Sequence, residues 1–274
     1  MAAMKTQPVN LRAECYGDAA LPPLIVLHGM LGSGRNWASM AKRLGDRFAV
    51  WAVDLRNHGA SPHAADMSYP AMAADLGAFL EREGIAKPVL AGHSMGGKAA
   101  MRFAVDAPER VRGLAVVDIA PKPYAPRWEK EFAALRALDL ATLRSRSEAE
   151  ARLEPAIPDW AFRKFLTTNL VRDPETKAFR WAVNLEGLHA ALPQLFQKGL
   201  GEGERYDGPV LFLRGGRSRF VDPGDIAVIQ RHFPRARLET VEGAGHNVHF
   251  DAPDAFAERL LGWIDGEVAG GRAG

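Results

Sequence analysis

An α/β fold, with a mostly parallel sheet covered by helices on both faces, is what this 274-residue sequence predicts, and three observations carry the prediction. Short apolar runs of strand length alternate with segments whose apolar residues recur at helical spacing. The runs are continuous, without polar alternation, as strands buried on both faces are. The residues able to do chemistry, namely His28, Ser94, Asp118, the stretch from Arg214 to Asp222, and His246, all fall just after such runs. In a parallel sheet that end of the strands is where ligands sit, so residues distant in sequence converge there.

Taken in order, Leu11 to Tyr16 alternates and stops at Gly17-Asp18, an early half-exposed strand. Leu24-Ile25-Val26-Leu27 is a buried strand running into His28-Gly29-Met30-Leu31-Gly32. A helix follows, capped by Asn36 or Ser33, with Trp37, Met40, Ala41 and Leu44 inward. Phe48 to Val53 is a strand ending at Asp54-Leu55-Arg56-Asn57-His58-Gly59, and Ser68 with Tyr69-Pro70 opens a helix carrying Met72, Leu76, Phe79 and Leu80. Pro88 to Ala91 is the strand before Ser94, a helix runs from there to about Val105, and Leu114 to Val117 is a strand ending at Asp118. Alternation then breaks over 122–205, which is cut by Pro126, Pro155, Pro158, Pro174 and Pro193 and rich in Leu, Ala, Arg and Glu. This segment reads as an inserted helical lid, with residues 1–121 and 206–274 forming the core. Ser147-x-x-Glu150 fits a capping box, and Trp160, Phe162, Phe165, Leu166 and Leu170 fit one helix face. Val210 to Leu213, a helix from Pro223 reaching Phe233, a strand Ala236 to Val241, the loop Gly243-Ala244-Gly245-His246 and a helix from Pro253 complete the fold. The tail from Gly266 is expected to fray.

A formal charge of +2 and the lack of a basic run exclude a nucleic-acid partner. One cysteine, Cys15, precludes an internal disulfide or a cysteine cluster for zinc, and no metal or other cofactor is expected. Met1 to Pro8 lacks the apolar centre of a secretory signal, and no apolar stretch is long enough to anchor the chain in a membrane. A cytoplasmic location is expected.

Gly92-His93-Ser94-Met95-Gly96 lies between a buried strand and a helix. On so sharp a turn the serine backbone is strained and its hydroxyl exposed, and the flanking glycines let strand and helix approach. The helix begins just after Ser94, so its free N–H groups face any negative charge formed at the hydroxyl. A serine hydroxyl needs a base beside it, and the base needs a carboxylate to fix its tautomer. Ester or thioester cleavage also needs N–H donors for the oxyanion, and Met95 supplies one.

These residues resemble the α/β-hydrolase family over nearly the whole chain: His-Gly after an early strand, Gly-His-Ser-Met-Gly-Gly, and Gly-His before the last helix. Asp54-Leu55-Arg56-Asn57-His58-Gly59-x-Ser61-Pro62-His63, Met67-Ser68-Tyr69 and Val116-Val117-Asp118-Ile119-Ala120-Pro121 resemble one subgroup, the YbfF-type esterases and their abhydrolase-domain 11 relatives. The resemblance implies a cofactor-independent serine carboxylesterase or acyl-CoA-type thioesterase forming an acyl-enzyme on Ser94, with His246 as base and the Met30 N–H as second oxyanion donor. The commoner position of the acid holds Ser218 here, which cannot supply a negative charge. Asp118 is therefore preferred, as the subgroup implies, and Asp222 is the alternative. His28, Leu31, Tyr124, Trp128 and Phe220 are expected to contact substrate, and Arg217 or Arg219 to meet an anionic part such as a coenzyme A phosphate. Two other readings are C–C hydrolysis or cofactor-free perhydrolysis, and a non-catalytic ligand-binding module on the same fold.

Overall fold

Alternate residues of each buried strand enter opposite cores, which is why the strands read as unbroken apolar runs. In the computed structural model, which describes residues 7–269, Leu24 and Val26 face one apolar layer while Ile25 and Leu27 face the other. The same division separates Leu211 and Leu213 from Val210 and Phe212. Nine strands are described: β1 (Arg12–Tyr16), β2 (Pro23–Leu27), β3 (Ala49–Asp54), β4 (Val89–His93), β5 (Gly113–Val117), β6 (Leu170–Arg172), β7 (Phe179–Trp181), β8 (Val210–Gly215) and β9 (Ala236–Val241). Seven form the main sheet in the order β1-β3-β2-β4-β5-β8-β9. All its pairings are parallel except β1 with β3.

The first helices are α1 (Ala38–Leu44), α2 (Tyr69–Arg82) and α3 (Met95–Asp106). A 3₁₀ turn led by Ser33 precedes α1, and Ser68 caps α2 by accepting from the Ala71 N–H at 3.2 Å. The later ones are α4 (Glu129–Ala137), α5 (Arg146–Leu153), α6 (Trp160–Thr167), α7 (Leu185–Leu195), α8 (Ile226–His232), α9 (Val248–Asp251) and α10 (Pro253–Trp263). Trp37, Phe256 and Trp263 fill the layer shared by α1 and α10, while Phe79, Phe103 and Phe132 fill the opposite one. None of the described helices is long and apolar enough to cross a membrane.

Between β5 and β8 the chain leaves the sheet for an insert of four helices, α4 to α7, and the hairpin of β6 and β7. Here the structure corrects the sequence reading at three places. Ser147 is not a cap: α5 begins two residues earlier under Ser145, which accepts from the Glu148 N–H at 3.1 Å. Leu170 leaves the helical face and pairs with Trp181 in the small antiparallel sheet, because α6 stops at Thr167. Trp160 points outward, 59% exposed, under the Lys164 ammonium instead of lining the interior. At the other end Gly266 does not begin a frayed tail, since a π-helical turn carries the last helix on to Ala269. Residues 1–6 of the segment read for a signal, and the last five of the tail, lie outside the described residues.

Candidate active site

Ser94 occupies the turn between β4 and α3 with φ +52° and ψ −118°, a conformation that non-glycine residues adopt only where their surroundings impose it. A Cβ on Gly96 would stand 2.5 Å from the His28 carbonyl oxygen, so the close approach of helix to strand requires glycine there. The Met95 N–H opens the helix, and neither it nor the Met30 N–H donates to any of the described residues. Among those residues the Ser94 hydroxyl also makes no hydrogen bond, and bonds of this kind commonly tighten only when substrate binds.

Asp118 stands one residue past β5 with φ +50° and is 1% exposed. Burying a carboxylate is costly unless donors meet it, and three do. Its Oδ1 accepts from the Gly215 N–H at 3.0 Å, and its Oδ2 accepts from His246 Nδ1 at 2.8 Å and from the Ser218 hydroxyl. Thus the serine that fills the acid's commoner position donates to the buried Asp118. The sequence reading dismissed Ser218 for lacking charge and missed this task, for which the vacated position was the available signal. Asp222 is exposed and caps a 3₁₀ turn, with no bond to His246.

His246 is held on several sides. The Phe220 ring stacks on it with centroids 3.8 Å apart and 16° between planes. The His93 Nε2–H donates to the His246 carbonyl at 2.9 Å, linking the serine turn to the His246 loop. His93 is kept neutral well below its ordinary range, first by burial and then by the neighbouring His246 and His249. Phe220, a residue expected to contact substrate, packs on the His246 ring. Tyr124, expected beside it, uses its hydroxyl to accept from the Ala120 N–H and donate to the Phe220 carbonyl, both at 2.9 Å. The Arg127 guanidinium lies 4.7 Å over the Phe220 ring.

His28 has a different task from the substrate contact expected of it. Its Nδ1–H donates to the Gly29 carbonyl at 2.8 Å and its Nε2 accepts from the Leu55 N–H at 3.0 Å, so no ring nitrogen remains for a ligand. His58 returns the favour across the same two loops, accepting from the Leu31 N–H at 3.2 Å and donating to the Arg56 carbonyl at 2.9 Å. Burial lowers both histidines, His28 to about 4 and His58 to about 3. Leu31 itself is fully buried in the apolar layer. Below the loop, Arg56 meets Asp75 through two bonds of 2.6 and 2.7 Å, the pair being almost wholly buried.

Trp128 packs edge-on against Phe162 of α6, 5.3 Å between centroids. Arg214 donates to the Val221 carbonyl at 2.6 Å and so braces its own loop. Arg217 and Arg219 are exposed and have no ion-pair partner among the described residues. Lys98, four residues past the serine, is buried and donates to the Lys122 carbonyl at 3.1 Å, at the start of the insert, and to the Gln197 carbonyl just past α7.

The mostly parallel sheet presents a strained serine turn, a histidine after the last strand and a buried carboxylate beside that histidine, and the sequence pattern of the α/β hydrolase fold matches residues 22–253. The chain belongs to the α/β-hydrolase family. Among its relatives is the sn-1-specific diacylglycerol lipase ABHD11 of Mus musculus, 40% identical over 90% of this chain and 82% of that one. Esterase YbfF of Escherichia coli (strain K12) is 36% identical over 94% of this chain and 99% of the relative. A solved structure described as a marine microorganism esterase superposes with a TM-score of 0.89 at 38% identity, covering 93% of this chain and 99% of that one. This α/β hydrolase is therefore of the esterase/lipase type, similar to ABHD11 and YbfF.

Proposed function

We propose that this α/β hydrolase cleaves carboxylic esters or thioesters through an acyl-enzyme on Ser94. The observation that carries the reading is the 2.8 Å bond from His246 Nδ1 to the buried Asp118, on the same sheet edge as the strained serine turn. Asp118 fixes the tautomer that leaves Nε2 free to take a proton. As Ser94 Oγ bonds to the substrate carbonyl carbon, its proton passes to His246 Nε2. The carbonyl oxygen becomes an oxyanion that accepts from the Met30 and Met95 N–H groups. Collapse breaks the bond to the leaving oxygen or sulfur, which takes the proton from His246. Water then repeats the sequence on the acyl-serine, releasing the acid and restoring the serine.

The segment 122–205 acts as a lid in this reading, with Trp128 and Phe162 packed against each other within it. The unpaired Arg217 and Arg219 favour substrates with an anionic part, such as acyl-CoA, over neutral esters. A fluorophosphonate probe should label the wild type and not Ser94→Ala. Absence of labelling would favour a binding module. A panel of p-nitrophenyl esters, acyl-CoA thioesters and diacylglycerols then ranks substrates. Arg217→Ala and Arg219→Ala should lower kcat/KM more on the thioester than on the neutral ester, and equal losses would end the anion assignment.

A further inference from the structure

The turn that presents the Met30 N–H is held from both sides, and one of the two holds belongs to the insert. Gly32 N–H closes the turn on the Gly29 carbonyl at 3.0 Å, leaving Met30 and Leu31 at its centre. Leu31 has φ +59°, a left-handed conformation that a leucine leaves when nothing prevents it. Its N–H is taken by His58, a residue of the β3 loop. Its carbonyl accepts from Asn169 Nδ2 at 2.7 Å, and Asn169 lies between α6 and β6 in the insert.

Asn169 is itself fixed. It is 5% exposed, its N–H donates to the Leu166 carbonyl at 3.1 Å, its carbonyl accepts from the Ala182 N–H at 2.8 Å, and Nδ2 also reaches the Leu166 carbonyl at 3.2 Å. A second tie connects the insert to the loop that carries His58. Asn184 donates its N–H to the Asn57 carbonyl at 2.9 Å and its Nδ2 to Asn57 Oδ1 at 3.0 Å. Both groups that restrain Leu31 are thus anchored, directly or through Asn57, to the insert.

We infer that Asn169 is a positioning residue for the oxyanion turn, making the placement of the Met30 N–H conditional on the seating of the insert. Without the Asn169 bond the Leu31–Gly32 peptide rotates, Leu31 relaxes from its left-handed conformation, and the adjoining N–H loses its aim. The turn then supports ground-state binding but not the developing oxyanion. This rests on the assignment of Met30 as an oxyanion donor.

The test uses Asn169→Leu, which removes the donor, and Asn169→Asp, which keeps the volume but sets an acceptor against the carbonyl. Competent sites are counted with a fluorophosphonate, and kcat and KM are measured per titrated site on a p-nitrophenyl ester. Inhibition by a trifluoromethyl ketone, which forms an oxyanion on the serine, is compared with inhibition by the matching secondary alcohol, which does not. The expected result is a kcat lower by roughly 10- to 100-fold, consistent with partial loss of one donor. KM and the alcohol's affinity stay within about twofold, while the ketone weakens about as much as kcat. Wild-type kcat and ketone affinity per site, or equal weakening of ketone and alcohol, overturn the inference. If Ser94→Ala keeps wild-type turnover and ketone binding, the serine assignment fails instead, whatever the Asn169 variants do.

Discussion

Acidification from pH 7.5 to pH 5 should destabilise this protein, because four histidines are held neutral in the fold. His28 is lowered to about 4, His58 and His249 to about 3, and His93 well below its ordinary value of 6.5, in each case chiefly by burial. Unfolding frees all four to bind protons below about pH 6.5, and the folded state must forgo those protons until the pH approaches its own lower values. The stability they allow is therefore complete above about pH 6.5 and declines as the pH falls toward 4. At pH 5 the loss is about 2 kcal/mol per histidine, or about 8 kcal/mol for the set. That is comparable with the whole stability of a typical domain, about 5–15 kcal/mol. Urea unfolding at pH 7.5, 6.5, 5.5 and 5 measures it, and the slope near pH 5 should correspond to about four protons taken up on unfolding. Carboxylates lowered in the fold, such as Glu204, lose their contribution only below the ordinary range of Glu, so they do not enter this window. His249→Phe, which keeps the stack on Trp37 seen at 4.0 Å, should remove about one proton from the slope. Unchanged stability between pH 7.5 and 5.5 would refute the assignment of these histidines as neutral and buried.

Asp118→Asn should lower kcat by about four orders of magnitude while Asp222→Asn changes little, and the reverse result, read from steady-state kinetics, would move the acid. Because the Ser218 hydroxyl and His246 Nδ1 share one carboxylate oxygen, Ser218→Asp in the Asp118→Asn background should recover part of that loss, and no recovery would show that a carboxylate at 218 does not reach the imidazole. Arg56→Met leaves Asp75 buried without its partner and should cost about 3–5 kcal/mol in urea unfolding, most of it regained in Arg56→Met/Asp75→Leu. Burial lowers Lys98 to about 7, below its ordinary 10.5, so unfolding takes up a proton between those values. Stability should rise with pH across that window, and the rise should be absent in Lys98→Met.

Much of the fold was legible because its strands are buried on both faces. An apolar run such as Val89 to Ala91 tolerates no polar residue on either side, and the glycines of the serine turn are fixed by sterics that any sequence must obey. The insert was less legible. Its helices are short and partly exposed, so their ends are set by tertiary contacts: Leu170 fits the α6 face by spacing yet pairs with Trp181, and a capping serine stands two residues from the one that spacing suggested.

The candidate site divides along a similar line. Ser94, His246 and Asp118 carry signals in their neighbours, since a serine between glycines or an aspartate ending an apolar run is conspicuous on its own. Ser218, His58 and Asn169 act through backbone groups or through another side chain, and nothing local shows which group each will meet. Their partners lie 100, 27 and 138 positions away, distances that only the crossing of strand ends brings to hydrogen-bond length. Ser218 shows the consequence for reading the site. A serine in place of an acid looks like a missing charge when the position is considered alone. Once Asp118 is known to sit across from it, the hydroxyl becomes a donor that a buried carboxylate requires. A second carboxylate at 218 with Asp118 intact would set two like charges on one imidazole, whereas the hydroxyl there is a neutral donor.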